Sequence, residues 1–206
     1  MFNKFISKDF LKFLFAISCC LPLLNTGAAP INFTMKNYNQ CLAQLRQCPK
    51  HGPSYSIRCM ANLINNTPSC QALTEIAKQL NTTIDTLRVL PVHGFYLITQ
   101  QFFADGQQQF FLLTPQEKLI NTIIDPRSLD VPLKKKYAKS IWLITNTTTP
   151  HYQRLDPHQV AFAVNLKINK NCLACQPFGY VTVLFVFDNH GELLSKELTA
   201  FISHAS

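Results

Sequence analysis

Glycine is scarce, with six residues scattered through 206. A phosphate-cradling loop needs several backbone N–H groups at close approach, and therefore clustered glycines, so that class of site is excluded. Carboxylates are few as well, eleven in all, and no two stand as an evident acid–base pair. No serine lies in a G-x-S-x-G setting, and no histidines follow an H-E-x-x-H or H-x-H order. The sequence thus predicts no catalytic residue, no metal site and no cofactor. Charged residues make up only 15%, and cations exceed anions to give a net charge of +8. The one tight basic run, Lys134-Lys135-Lys136, lacks interleaved aromatics. It reads as a solvated loop, and no nucleic-acid partner is expected. No unit of about 20–50 residues recurs, which excludes a solenoid.

Apolar residues are plentiful at 47%, sixteen of them Phe, and this favours a sheet-rich core. The N-terminus has the order of a secretory signal peptide. Lys4, Lys8 and Lys12 precede an apolar stretch over residues 13–24, and Thr26-Gly27-Ala28-Ala29-Pro30 follows. Cleavage is expected between Ala28 and Ala29, because cutting one residue later would place Pro30 at +1. The apolar stretch is short for a membrane span. Retention as an anchor is one alternative. Lipidation of Cys19 in "FAISCC" is another, although Ala16 stands where a lipobox usually has Leu. Removal of residues 1–28 takes away three Lys, one Asp, Cys19 and Cys20 and leaves a net charge of +6. Six cysteines then remain, and an even number behind an export signal reads as a disulfide framework.

Residues 29–36 read as a short extended lead and residues 37–85 as helical. Leu42, Leu45 and Cys48 fall at helix spacing, residues 55–63 continue the pattern, and residues 69–80 form a third segment. Pro49, Gly52-Pro53 and Pro68 separate these pieces. From Phe95 onward β-branched and aromatic residues dominate. Asp105-Gly106 between two apolar runs is a hairpin signal, since a tight turn needs positive φ. Further strands are expected over 119–124, 141–145, 160–168 and 180–187, the last central because it is nearly all apolar. Residues 188–191 read as a turn, and 192–202 as a strand or short helix. The expected fold is therefore α+β. A disulfide-linked helical hairpin module over 37–85 precedes a mainly antiparallel sheet domain over 90–206, with a boundary at 86–93.

The segment from Gln40 to Leu73 holds Cys41, Cys48, Cys59 and Cys70. Their gaps of six, ten and ten residues are wider than the two to four or so that pair zinc ligands. A redox centre would need a Cys-x-x-Cys pair, which this segment lacks. Staples are left. Cys41 and Cys48, seven apart, would share one helix face. An antiparallel partner helix could then offer Cys59 to Cys48 near the turn and Cys70 to Cys41 farther out. Three pairings are possible for four cysteines, and spacing does not choose among them. "CLAQLRQC", a Gly-containing loop and "SIRCMANLINNTPSCQAL" together resemble the bacterial cysteine-rich repeat, which also occurs in tandem in a Golgi membrane glycoprotein. The resemblance covers residues 40–75 in one copy. Met60 stands where the repeat prefers Leu, and the last gap is one residue short. It implies an exported, disulfide-linked helical module with no catalysis attached to the repeat itself.

Cys172-Leu-Ala-Cys175 lies between two expected strands, without the helix that would lower a thiol pKa. A short disulfide pinching a loop is expected, and a redox-active pair is the alternative. His151 and His158 flank "YQRLDP" with Asp156 nearby, which could be half of an acid–base pair but reads as surface loop. Asn32, Asn81 and Asn146 open glycosylation sequons, which matter only in a eukaryotic secretory pathway. The sequence points to a periplasmic or secreted, non-catalytic binding protein with a protein or small-molecule ligand. It leaves a thiol–disulfide or hydrolytic enzyme and a membrane-tethered accessory of an envelope assembly as alternatives. No stable transmembrane span is expected after processing.

Overall fold

The structure, a computed structural model, describes residues 32–52, 54–102, 107–170 and 176–203. The expected leader with its Ala28–Ala29 junction, Cys19, the Asp105-Gly106 turn and the Cys172/Cys175 pair lie outside the described residues. The fold is α+β. Helices α1 (Met35–Leu45), α2 (Ile57–Asn66) and α3 (Gln71–Gln79) come first, with the two-residue strands β1 (Lys50–His51) and β2 (Ser54–Tyr55) between α1 and α2. Strands β3 (Leu87–Val92), β4 (Phe95–Gln101), β5 (Gln108–Leu113) and β6 (Leu119–Asn121) form a four-stranded antiparallel sheet in sequential order. A short helix α4 (Val131–Lys136) leads to β7 (Trp142–Asn146), β8 (His151–Arg154), β9 (Gln159–Lys170), β10 (Gly179–Asp188) and β11 (Leu193–Ser203). These make the second sheet, ordered β11-β10-β9-β7, with β8 pairing the other end of β9 beside β7.

The four-stranded sheet is the middle of three layers. Along β4 and β5 successive side chains point to opposite faces. Ile98, Phe111 and Leu113 join Tyr38, Leu45, Leu73 and Ile76 of the helical layer in one buried cluster. Phe95, Leu97, Phe110 and Leu112 join Phe162, Val164, Leu166, Phe185 and Phe187 of the five-stranded sheet in a second. Because both faces are covered, "FYLI" and "FFLL" are unbroken apolar runs where a half-exposed strand would alternate. Phe95 makes edge-to-face contacts with Phe162 and Phe187 at centroid separations of 5.1 and 5.0 Å, an arrangement favoured by the ring quadrupoles.

Several local expectations change. Helix α1 starts earlier than expected, capped by the Thr34 hydroxyl, which accepts from the Asn37 N–H at 3.1 Å. It ends at Leu45, so Cys48 lies beyond the helix and not on its last turn. The expected boundary at 86–93 is occupied by β3, which closes on β4 through a two-residue turn. His93 (φ 47°) and Gly94 (φ 88°) supply the left-handed conformations that such a turn demands. Pro91 is tolerated because β3 is an edge strand. The unpaired side of that edge is covered at one point, where the Val89 N–H donates to the buried Tyr38 hydroxyl at 3.1 Å. Lys134-Lys135-Lys136 lie on α4, started by Asp130, whose carboxylate accepts from the Leu133 N–H at 2.7 Å. The strand expected over 119–124 stops at Asn121, whose side chain turns back to accept from the Ile123 N–H at 2.9 Å. Residues 192–202 resolve as strand β11, paired along the whole of β10.

Candidate functional site

Two disulfides organise the helical layer. Cys41 on α1 is joined to Cys70, which ends the short 3-10 turn over Pro68–Cys70 just before α3. Cys48, after α1, is joined to Cys59 on α2. The bridges are nested, with sequence separations of 29 and 11 residues. Loop closure on that scale is worth about 3 kcal/mol each in the chain-entropy account. Their combined effect is to fix α2 and α3, both short, at a set distance from α1.

Between α2 and α3 runs a groove of about 330 Å³, within the size range of small-molecule sites, roughly 300–1,000 Å³. One wall is a helix stripe at i, i+3, i+4 and i+7: Ile57, Met60, Ala61 and Ile64. The other is Thr74, Ala77 and Lys78 on α3, with Ile84 and the Thr82-Thr83 turn beyond it. Alanines at 61 and 77 keep the seam open, because larger side chains there would fill it. The end wall is positioned by the stop of α3. Asn81, with φ 49°, takes the left-handed position, and the N–H groups of Thr82 and Asn81 donate to the carbonyls of Ala77 and Lys78 at 2.9 and 3.0 Å. The lining is almost entirely carbon. Thr74 borders it but is only 7% exposed, and its Oγ1 is buried away from the groove without a hydrogen-bond partner. Ile57, at the start of the stripe, stands 81% exposed.

Among the described residues, His93, His151, His158 and His190 form no shared cluster. His151 is exposed at the start of β8. His158 sits in the β8–β9 turn, where the Asp156 carboxylate accepts from its N–H at 2.6 Å. Asp156 therefore shapes the turn. His93 stacks on Tyr152 at 4.1 Å, tying the β3–β4 turn to the second sheet. His190 lies in the Asp188 turn. There the N–H of Glu192, and then that of His190, hold the Asp188 carboxyl below its ordinary value. Among the described residues no three His, Cys, Asp or Glu side chains converge as metal ligands. Asn146 is occupied internally. Its Oδ1 accepts from the Phe110 N–H at 3.2 Å, and its Nδ2 donates to Thr122 Oγ1 at 3.2 Å. The groove itself was missed in the sequence, although the spacing of Ile57, Met60, Ala61 and Ile64 carries it. No family model, curated protein or solved structure matches this chain.

Proposed function

We propose that this chain is an exported, non-catalytic binding protein, braced by disulfides, that takes an apolar ligand in the groove between α2 and α3. The single observation that carries the reading is that groove: a carbon-lined cleft bounded by α2 and α3. The two disulfides support export, since such bonds form and persist in oxidising compartments. The signal-like N-terminus and the resemblance to a cysteine-rich repeat support it independently. The ligand class follows from the lining. It has an aliphatic or aromatic body of a few side chains' volume.

The test uses an environment-sensitive apolar fluorophore, anilinonaphthalene sulfonate, titrated into the folded protein. One saturable site is expected. Ala61→Trp, which fills the seam from an exposed position, should abolish it with the melting temperature unchanged. Probe binding that survives Ala61→Trp would remove the groove from consideration.

A further inference from the structure

The corner of the molecule around Tyr137 adds Lys170, distant in the sequence, to the cations of residues 127–139. Lys136 Nζ lies 5.2 Å from the centre of the Tyr137 ring, and Lys170 Nζ, from the end of β9, lies 6.0 Å from that ring and 4.0 Å from the ring of Phe178. Arg127 lies over Trp142 at 4.6 Å and shares a surface recess with Lys134. Residues 125–141 contain five cations, Arg127, Lys134, Lys135, Lys136 and Lys139, against two carboxylates. Both carboxylates are engaged. Asp125 is gripped by Arg127, with Nε at 2.9 and 3.0 Å from its two oxygens and Nη2 at 2.6 Å, and Asp130 caps α4. None of the ion pairs found among the described residues involves Lys134, Lys135, Lys136, Lys139 or Lys170. Flanking residues 134–139 in the chain are two bare aliphatic side chains, Val131 on α4 at 63% exposure and Ile141 at 67%.

We infer that this corner docks peripherally on an anionic phospholipid surface. Lysines with exposed aliphatic neighbours match an interface where headgroup charge lies directly above hydrocarbon. Single-stranded nucleic acid would call for open ring faces on which bases stack. Here the rings of Tyr137, Trp142, Phe178 and Phe201 pack against one another at 5.2–6.3 Å, and the first three are overlaid by cations. The inference is independent of the groove, which uses other residues.

The test is flotation of the protein, recovered from an exporting host so that any leader is processed, with vesicles of phosphatidylcholine containing phosphatidylglycerol. Binding should weaken steeply with salt and be absent on phosphatidylcholine alone. Lys134→Gln, Lys136→Gln and Lys170→Gln should each weaken it about fivefold, and all three together about a hundredfold. Ile141→Ser should weaken it as well. Equal binding to neutral vesicles, or a triple variant that floats like the parent, would overturn the inference. So would retention on inorganic phosphate or an oligonucleotide without vesicle binding. The salt series on the unaltered protein decides even if a variant fails to fold.

Discussion

The helical layer and the five-stranded sheet are held by different means. The sheet layer is stabilised by area: Phe162, Phe185 and Phe187 are fully buried, with Val164, Leu166, Ile168 and Val183 around them. Each such side chain is worth roughly 1.5–3 kcal/mol. The helical layer is made of short helices of 11, 10 and 9 residues, lengths that are marginal for isolated helices. Two covalent ties and one face packed on the middle sheet supply what length does not. The difference teaches where an open cleft can be kept. A Phe-packed sheet has no room for one, whereas helices pinned by bridges can leave a seam between them without falling together.

The largest effect expected on this contrast is in the sheet. Phe185→Ala removes a fully buried ring and should cost about 3–5 kcal/mol, read as a fall in the urea midpoint that takes both layers with it. Next comes the bridge. Cys41→Ser with Cys70→Ser should cost about 3 kcal/mol, and hydrogen exchange should quicken in α1, α2 and α3 well before it does in β9 and β10. Loss of protection spread evenly over both layers would erase the distinction. Tyr38→Phe is smaller, about 1–2 kcal/mol, because it leaves the Val89 N–H without its acceptor where helix meets sheet.

The smallest effect depends on pH. Burial alone would raise the Asp125 carboxyl. The hydrogen bonds and charge of Arg127 outweigh it and hold the carboxyl below its ordinary value of 3.8. A group lowered in the folded state adds stability above its unfolded value and loses it as the pH falls through the folded one. Stability should therefore drop in acid below that ordinary value. Asp125→Asn should flatten part of the drop, a modest part since the pair is partly exposed and screened.

Much of the fold was legible for physical reasons that particular residues make plain. The apolar runs on either side of Asp105-Gly106 announced strands, though not that both faces of them are buried, and the apolar run at 180–187 announced a central one. What escaped was written in weaker signals. Strand β3 was hidden by Pro91, which an edge strand tolerates, and by His93-Gly94, a turn pair outside the commonest hairpin pairs. Strand β8 was hidden because "HYQR" is short and polar, and it became a strand only because the long β9 offered a free edge. The lysine run read as a bare loop because Trp142, Phe178 and Lys170 join Tyr137 beside it only through the fold. The groove needed the bend between α2 and α3, which depends on where the Cys41–Cys70 bridge sits.

The central claim is that the bridges hold open a cleft that binds. Its most direct test is to titrate the apolar fluorophore into the oxidised protein, and into the same protein after Cys41–Cys70 and Cys48–Cys59 are reduced and alkylated, with the sheet monitored by near-ultraviolet dichroism of Trp142. The account predicts one saturable site in the oxidised protein that is lost on reduction while the Trp142 signal persists. Unchanged binding by the reduced protein would contradict it.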